Sequence, residues 1–196
     1  MDLVLVHARA QELEYVEQGY GVNRRAVMYN DFVVVGPAED PADISGSQDA
    51  SGAFAAIAGA QVAFVSRGDG SGTNIKEQLL WDASGVAPSG QWYNEAGQGM
   101  GAVLTMASEM GGYTLTDRGT WLAMKEKLDL TILVEGDPQL FNPYGVIAVN
   151  PELHPDVRYL EAMMLVAWLT SPEGRSRIGS FTVDGDVLFN PLSADH

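Results

Sequence analysis

The stretch Phe64-Val65-Ser66-Arg67-Gly68-Asp69-Gly70-Ser71-Gly72-Thr73-Asn74 decides how this chain is read. A short β-rich run, Gln61 to Val65, meets a glycine-rich turn, and a helix-like run, Ile75 to Ala83, follows at once. A strand, a small-residue turn and a helix start form an anion cradle. The first amides of a helix lack intrahelical acceptors and carry the positive end of its dipole. Small residues such as Gly70 and Gly72 let an anion approach the backbone. Arg67 adds a charged donor fork, and Ser66, Ser71 and Thr73 add hydroxyls. The same residues also fit a plain β-turn in which Ser71 or Thr73 caps the helix. The turn lacks the Gly-Lys-Ser/Thr ending of a P-loop, which leaves nucleotide hydrolysis unsupported. Its Gly68, Gly70 and Gly72 alternate, unlike the G-x-G-x-x-G dinucleotide fingerprint.

Composition bounds the rest. A chain of 196 residues suits one ordinary domain or two small lobes. Hydrophobic content of 46% with 19% charged residues reads as soluble and globular. No apolar run reaches membrane-helix length. No signal-peptide pattern precedes Leu3, so the chain reads as a mature fragment, an engineered start or a cytoplasmic protein. The net charge of −15 argues against nucleic acid and anionic membranes as partners. It does not forbid anion binding, because exposed charges are screened beyond about 10 Å. The acidic surface fits solubility or a saline environment. With no cysteine, disulfides, thiolate catalysis and cysteine-based metal sites are excluded.

Along the chain, apolar runs at Leu3–Val6, Phe32–Val35, Val62–Val65, Leu130–Val134 and Tyr144–Val149 read as strands, the first as a buried parallel one. Helices are expected over His7–Glu17, with Ala8, Leu13 and Val16 inward, and over Ala53–Ala60, Gly101–Met110 and Asp156–Leu169. Another is expected from a Thr116 cap through Lys127, and one from Ser171-Pro172 onward, with the tail from Phe181 irregular. Strands alternating with helices predict an α/β class with a largely parallel sheet. The breakers Gly36-Pro37 and Asn142-Pro143 bracket roughly a hundred residues. They predict two lobes: lobe I from 1–34 and 144–196, lobe II inserted as 35–143, and crossover strands near 30–37 and 142–149.

Seven blocks in order, LVLVHARA, EQGYGVNRR, MYNDFVVVGP, FVSRGDGSGTN, YTLTDRGTW, LVEGDPQLFNPYGVIAVNP and LTSPEGR, resemble the tungstate-binding proteins of ABC transporters. The resemblance runs from Leu3 to about Pro191. It implies a two-lobed, class II periplasmic-binding-protein-like fold that closes on tungstate, or molybdate, in the cleft and delivers it to an ABC transporter permease. It further implies a periplasmic or extracellular location, with lipid anchoring an option. The family pattern begins with a lobe segment carrying a Thr-Thr-Thr-Ser turn, which these residues lack. The expectation is therefore an incomplete lobe I, weak or absent binding by this chain alone, and homodimerisation through uncovered apolar surface. By the resemblance, Arg67 and Thr73 contact the ligand, with Ser66, Ser71, Gly70 and Gly72 around them. His7, at a strand end, and Gln98-Gly99, at a helix opening, are further candidates, each with a plain structural role as the alternative. Arg118 and the four tryptophans read as surface and packing residues. Asp184-Gly185-Asp186 reads as a turn, because a calcium loop needs further ligands.

Tungstate is a fully deprotonated tetrahedral dianion, so its site offers donors only. Hydrogen phosphate carries a proton and favours a site with an acceptor, and Asp69 is the loop's one acid. An inward Asp69 would favour phosphate. No cofactor or bound metal is expected, tungsten entering only as its oxyanion. The chain has three histidines, His7, His154 and His196. Neither a Ser/His/Asp set nor a metal-ligand spacing accompanies them, so the class is a binding protein and not an enzyme. An oxyanion sensor or accessory interaction protein of the same fold, and a phosphate-type binder, remain as alternatives.

Overall fold

The computed structural model describes residues 1–183 and 185–192; Asp184 of the predicted turn and His196 lie outside them. The first half of the chain runs β1 (Leu3–Val6), α1 (Arg9–Glu17), β2 (Gly21–Gly36), α2 (Ala50–Ala60), β3 (Phe64–Ser66), α3 (Gly72–Ser84), β4 (Tyr93–Glu95) and α4 (Met100–Met110). It continues through β5 (Thr114–Asp117), α5 (Arg118–Met124), β6 (Thr131–Val134), β7 (Phe141–Val149), α6 (Tyr159–Leu169), α7 (Pro172–Gly179), β8 (Thr182–Val183), β9 (Asp186–Val187) and β10 (Asn190–Pro191). The chain divides into two compact units, Met1–Asn30 with Asn142–His196, and Asp31–Phe141.

In the first unit, strands lie in the order β1-β7-β2-β10, with β1–β7 and β2–β10 antiparallel. The register sets Leu3 opposite Ala148 and Val6 opposite Gly145. Val27, Val146 and Val166 form its buried centre, with Leu3, Met28, Met163, Leu169 and Ile178 packed around them. The middle of β2 is tied to the start of β7 by the buried Asn142 Nδ2, which donates to Asn30 Oδ1 (2.7 Å).

In the second unit, the end of β2 pairs antiparallel with β5 and β6. β3 pairs parallel with β4, and a parallel bridge joins Phe64 to Tyr113. The core gathers Phe32, Val34, Phe54, Ile57, Phe64, Trp81, Tyr113, Leu115 and Val134. At its centre the Phe54, Phe64 and Trp81 rings meet at 4.4–5.4 Å, the tilted and edge-on geometries that aromatic quadrupoles favour.

The α/β class stands, but the largely parallel sheet does not. Among the described strands, β3–β4 pairs in parallel, while β1–β7, β2–β10, β2–β5, β2–β6 and β8–β9 pair antiparallel. A short apolar run is equally compatible with either pairing, and β2, sixteen residues long, serves as a shared antiparallel partner. β1 is partly exposed and antiparallel, not a buried parallel strand. Helix α1 turns differently from its predicted face. Leu13 is exposed and Glu12 is buried, paired with Arg24 (2.6 Å), because a distant arginine gives a carboxylate the partner it needs inside. The fifth helix starts one residue later than expected, capped by Asp117, whose carboxylate accepts from the Thr120 amide, while Thr116 lies in β5. The tail forms the short strands β8 to β10. Trp81 and Trp121 pack in the core, but Trp168 is exposed.

Candidate oxyanion site

Three strand–helix junctions, β3/α3, β4/α4 and β5/α5, share one edge of the second unit. β4 runs parallel to β3, and Phe64 bridges Tyr113, just before β5, in parallel. Their C-terminal ends, and the helix starts behind them, therefore face the same way. The turn after β3 is stitched to the segment after β4: the Ala96 amide donates to Ser66 O (2.9 Å) and the Gly97 amide to Arg67 O (2.8 Å). That brings Gln98 and Gly99, which opens α4 without a side-chain cap, beside the glycine-rich turn.

Within the turn, most groups are already used. Ser71 caps α3, its Oγ accepting from the Asn74 amide (3.3 Å). The Gly70 amide donates to Asn74 Oδ1 (3.0 Å), the Gly68 amide to Ser66 Oγ (3.2 Å) and the Ser71 amide to Asp69 Oδ1 (3.1 Å). Gly72 and Thr73 are the first two residues of the thirteen-residue helix. Among the described residues, neither their amides nor the Thr73 hydroxyl has a hydrogen-bond partner. Arg67 reaches Asp69 Oδ2 through Nη2 (2.5 Å), while its buried Nε–H has no acceptor. Gly68 sits at φ +57°, and a Cβ there would lie 2.9 Å from the Glu95 Cβ. Gly68→Ala is therefore expected to cost about 1–2 kcal/mol of stability, from the left-handed backbone alone, read as a lower urea midpoint.

The turn stands on a carboxylate that sequence reading missed. Glu77, one helical turn into α3, is 2% exposed. It accepts from the Ser66 hydroxyl (2.7 Å), Trp81 Nε1 (3.0 Å) and the Tyr93 hydroxyl (2.8 Å). Burial pushes its carboxyl above the usual range despite these three donors. Burial likewise pushes the Tyr93 phenol up to about 12. Ser66 is fully buried with its proton committed to Glu77, while its oxygen accepts from the Gly68 amide and Asn74 Nδ2. Ser66 thus fixes the turn from beneath. Asp69 is held below the ordinary carboxylate range, first by the Ser71 hydrogen bonds and then by Arg67.

His7 belongs to the first unit and Arg118 to the second. His7 is exposed in the first unit, its Nδ1 3.1 Å from Asn142 Oδ1 and its ring 4.9 Å from that of Tyr144. Arg118 is not a free surface arginine. Its Nε and Nη2 grip Asp31 (2.6 Å each), and Nη2 also reaches Glu135 (2.7 Å). The two carboxylates compensate its charge, so it offers little attraction to an anion. Among the described residues there is no group of His, Asp and Glu that could hold a metal ion, and no helix is long and apolar enough to cross a membrane.

Helix starts gathered at one sheet edge are the architecture of a binding domain, and residues 1–173 match the family model of the PBP superfamily domain. Over 98% of its length the chain is 46% identical to the tungstate-binding protein TupA of Peptoclostridium acidaminophilum, spanning 69% of that relative. A Haloferax volcanii protein named for ABC-transporter anion binding is 56% identical over 97% of the chain, which spans 57% of that relative's length. The solved TupA of Desulfovibrio alaskensis G20 superposes with a TM-score of 0.91 at 44% identity, covering 98% of this chain and 79% of that one. The chain belongs to the PBP superfamily and, within it, to the family of the TupA tungstate-binding proteins.

Proposed function

We propose that this chain binds a tetrahedral oxyanion, tungstate and also molybdate, at the turn between β3 and α3, as the solute-binding component of an ABC transporter. One observation carries the reading: a helix start with two unpartnered amides, at Gly72 and Thr73, beside an arginine whose buried Nε–H lacks an acceptor. Thr73 and Ser71 add hydroxyl protons, and Gly70 and Ser66 shape the turn. Gln98 and Gly99 flank it, while His7 serves the first unit. The relatives named above are named for binding tungstate or an anion, which supports a binding role over a catalytic one. The role follows: capture outside the cytoplasm and hand-over to a permease.

Phosphate is the poorer ligand. Hydrogen phosphate must donate its proton, and Asp69, the nearby acid, has one oxygen on the Ser71 amide and the other on Arg67. Isothermal titration with tungstate, molybdate, sulfate and phosphate tests the reading. Heat with tungstate and molybdate and none with phosphate is the expected result. Phosphate heat equal to tungstate heat would overturn it. A sensor role would instead show partner binding that is indifferent to oxyanion.

Self-association is part of the same proposal. Helix α6 is apolar on nearly every side, and Leu160, Met164 and Trp168, four residues apart, form an exposed stripe. Such a helix face is normally covered. Sedimentation velocity is expected to show a mass that rises with concentration, and Met164→Glu to abolish the rise.

A further inference from the structure

Resting on the oxyanion reading, we propose that Asp69 is an internal counter-anion: without ligand its carboxylate takes up Arg67, and the oxyanion binds by exchange against it. The two donors that Asp69 occupies, the Ser71 amide and Arg67 Nη2, belong to the very turn that is to hold the anion. Their side chains are only about one-fifth exposed, Arg67 at 19% and Asp69 at 23%. The pair sums to zero charge, so the turn presents hydrogen-bond donors without a net field. That matters for release. An unliganded, partly buried guanidinium with no counter-charge would be costly, and Asp69 lowers the free energy of that unliganded state. Whatever stability the pair adds before binding is subtracted from affinity, since binding is the difference between the two states. The buried Arg67 Nε–H has no acceptor, so Asp69 satisfies the guanidinium only in part.

Asp69→Asn keeps an oxygen for the Ser71 amide, and with it the turn, while removing the charge that competes for Arg67. The full chain and this variant are titrated with tungstate at low and high salt, and dissociation is followed by stopped flow. The expected result is a Kd lowered about 2–5-fold, the scale of a partly exposed ion pair. The change should lie mainly in slower dissociation and shrink as salt screens the pair. Asp69→Ser, which also keeps an acceptor for Ser71, should move the same way and serves if the asparagine variant folds poorly. An unchanged or raised Kd in a folded variant, with the parent chain still binding tungstate, overturns the inference and leaves the oxyanion reading standing. Asp69 would then aim Arg67 and not compete with the ligand. Absence of tungstate heat from parent and variants alike overturns the oxyanion reading and the inference together.

Discussion

Replacing Arg67 with alanine is expected to weaken tungstate binding about 10²–10⁴-fold. Two charge-assisted hydrogen bonds are lost, each contributing roughly 1.5–3 kcal/mol. A second effect acts in the same direction. Arg67 neutralises Asp69, whose carboxylate stays ionised because the Ser71 hydrogen bonds and the arginine hold its pKa down. Without the guanidinium a dianion would meet an uncompensated carboxylate in the turn. Arg67→Lys is expected to recover only part of the loss, because an ammonium supplies charge without the planar fork. Titration calorimetry of the three chains against tungstate checks this, with circular dichroism to show that the fold is kept. Equal affinity of the alanine variant and the parent would remove Arg67 from the site. Stability should barely change, since the pair it leaves is partly exposed.

The turn was readable in the sequence because its chemistry is local. Ser71 lies three residues before the amide it caps, and Gly68 and Gly70 stand where the backbone takes positive φ. What was hidden depends on partners far along the chain. A glutamate within a helix is ordinarily a solvated helix former, and nothing near Glu77 in sequence predicts that the Ser66 and Tyr93 hydroxyls will reach it from strands on either side. Glu12 is the same case in the first unit. Its inward turn depends on Arg24, on the next strand. Leu13, one position on, offered the more obvious inward side chain and is exposed instead. Strand direction was hidden for a related reason. Val33, Val34 and Val35 are buried on both faces, the pattern of a parallel strand, yet β5 and β6 both run against β2. Burial alone produces that pattern, and pairing direction follows from connections that a local run does not encode.

The largest stability effect is expected at Glu77. Glu77→Ala leaves the Ser66 hydroxyl, Trp81 Nε1 and the Tyr93 hydroxyl without their acceptor beneath the turn. Each orphaned buried group costs about 1–3 kcal/mol, and the truncated side chain adds a cavity. Part of this is offset, because the raised pKa means that burial already opposes the charged form. The net loss is expected at about 3–5 kcal/mol, read by chemical unfolding, with Trp81 fluorescence reporting its own surroundings. Glu77→Gln keeps the volume and an oxygen for Trp81 and Tyr93, but turns an amide toward Ser66 Oγ, which already accepts from Gly68 and Asn74. Its cost should be smaller, about 1 kcal/mol, and should depend on pH with a definite sign. A carboxyl whose folded pKa is raised binds its proton more tightly in the folded state. The parent therefore loses stability as pH rises from the ordinary value of 4.5 through the raised folded value, and is level above it. The glutamine variant lacks this titration, so the gap between the two chains should be widest in mild acid and narrow toward neutrality. A gap that widens with rising pH would show that the hydrogen bonds from Ser66, Trp81 and Tyr93 outweigh burial, and that the ionised carboxylate is the form the fold selects.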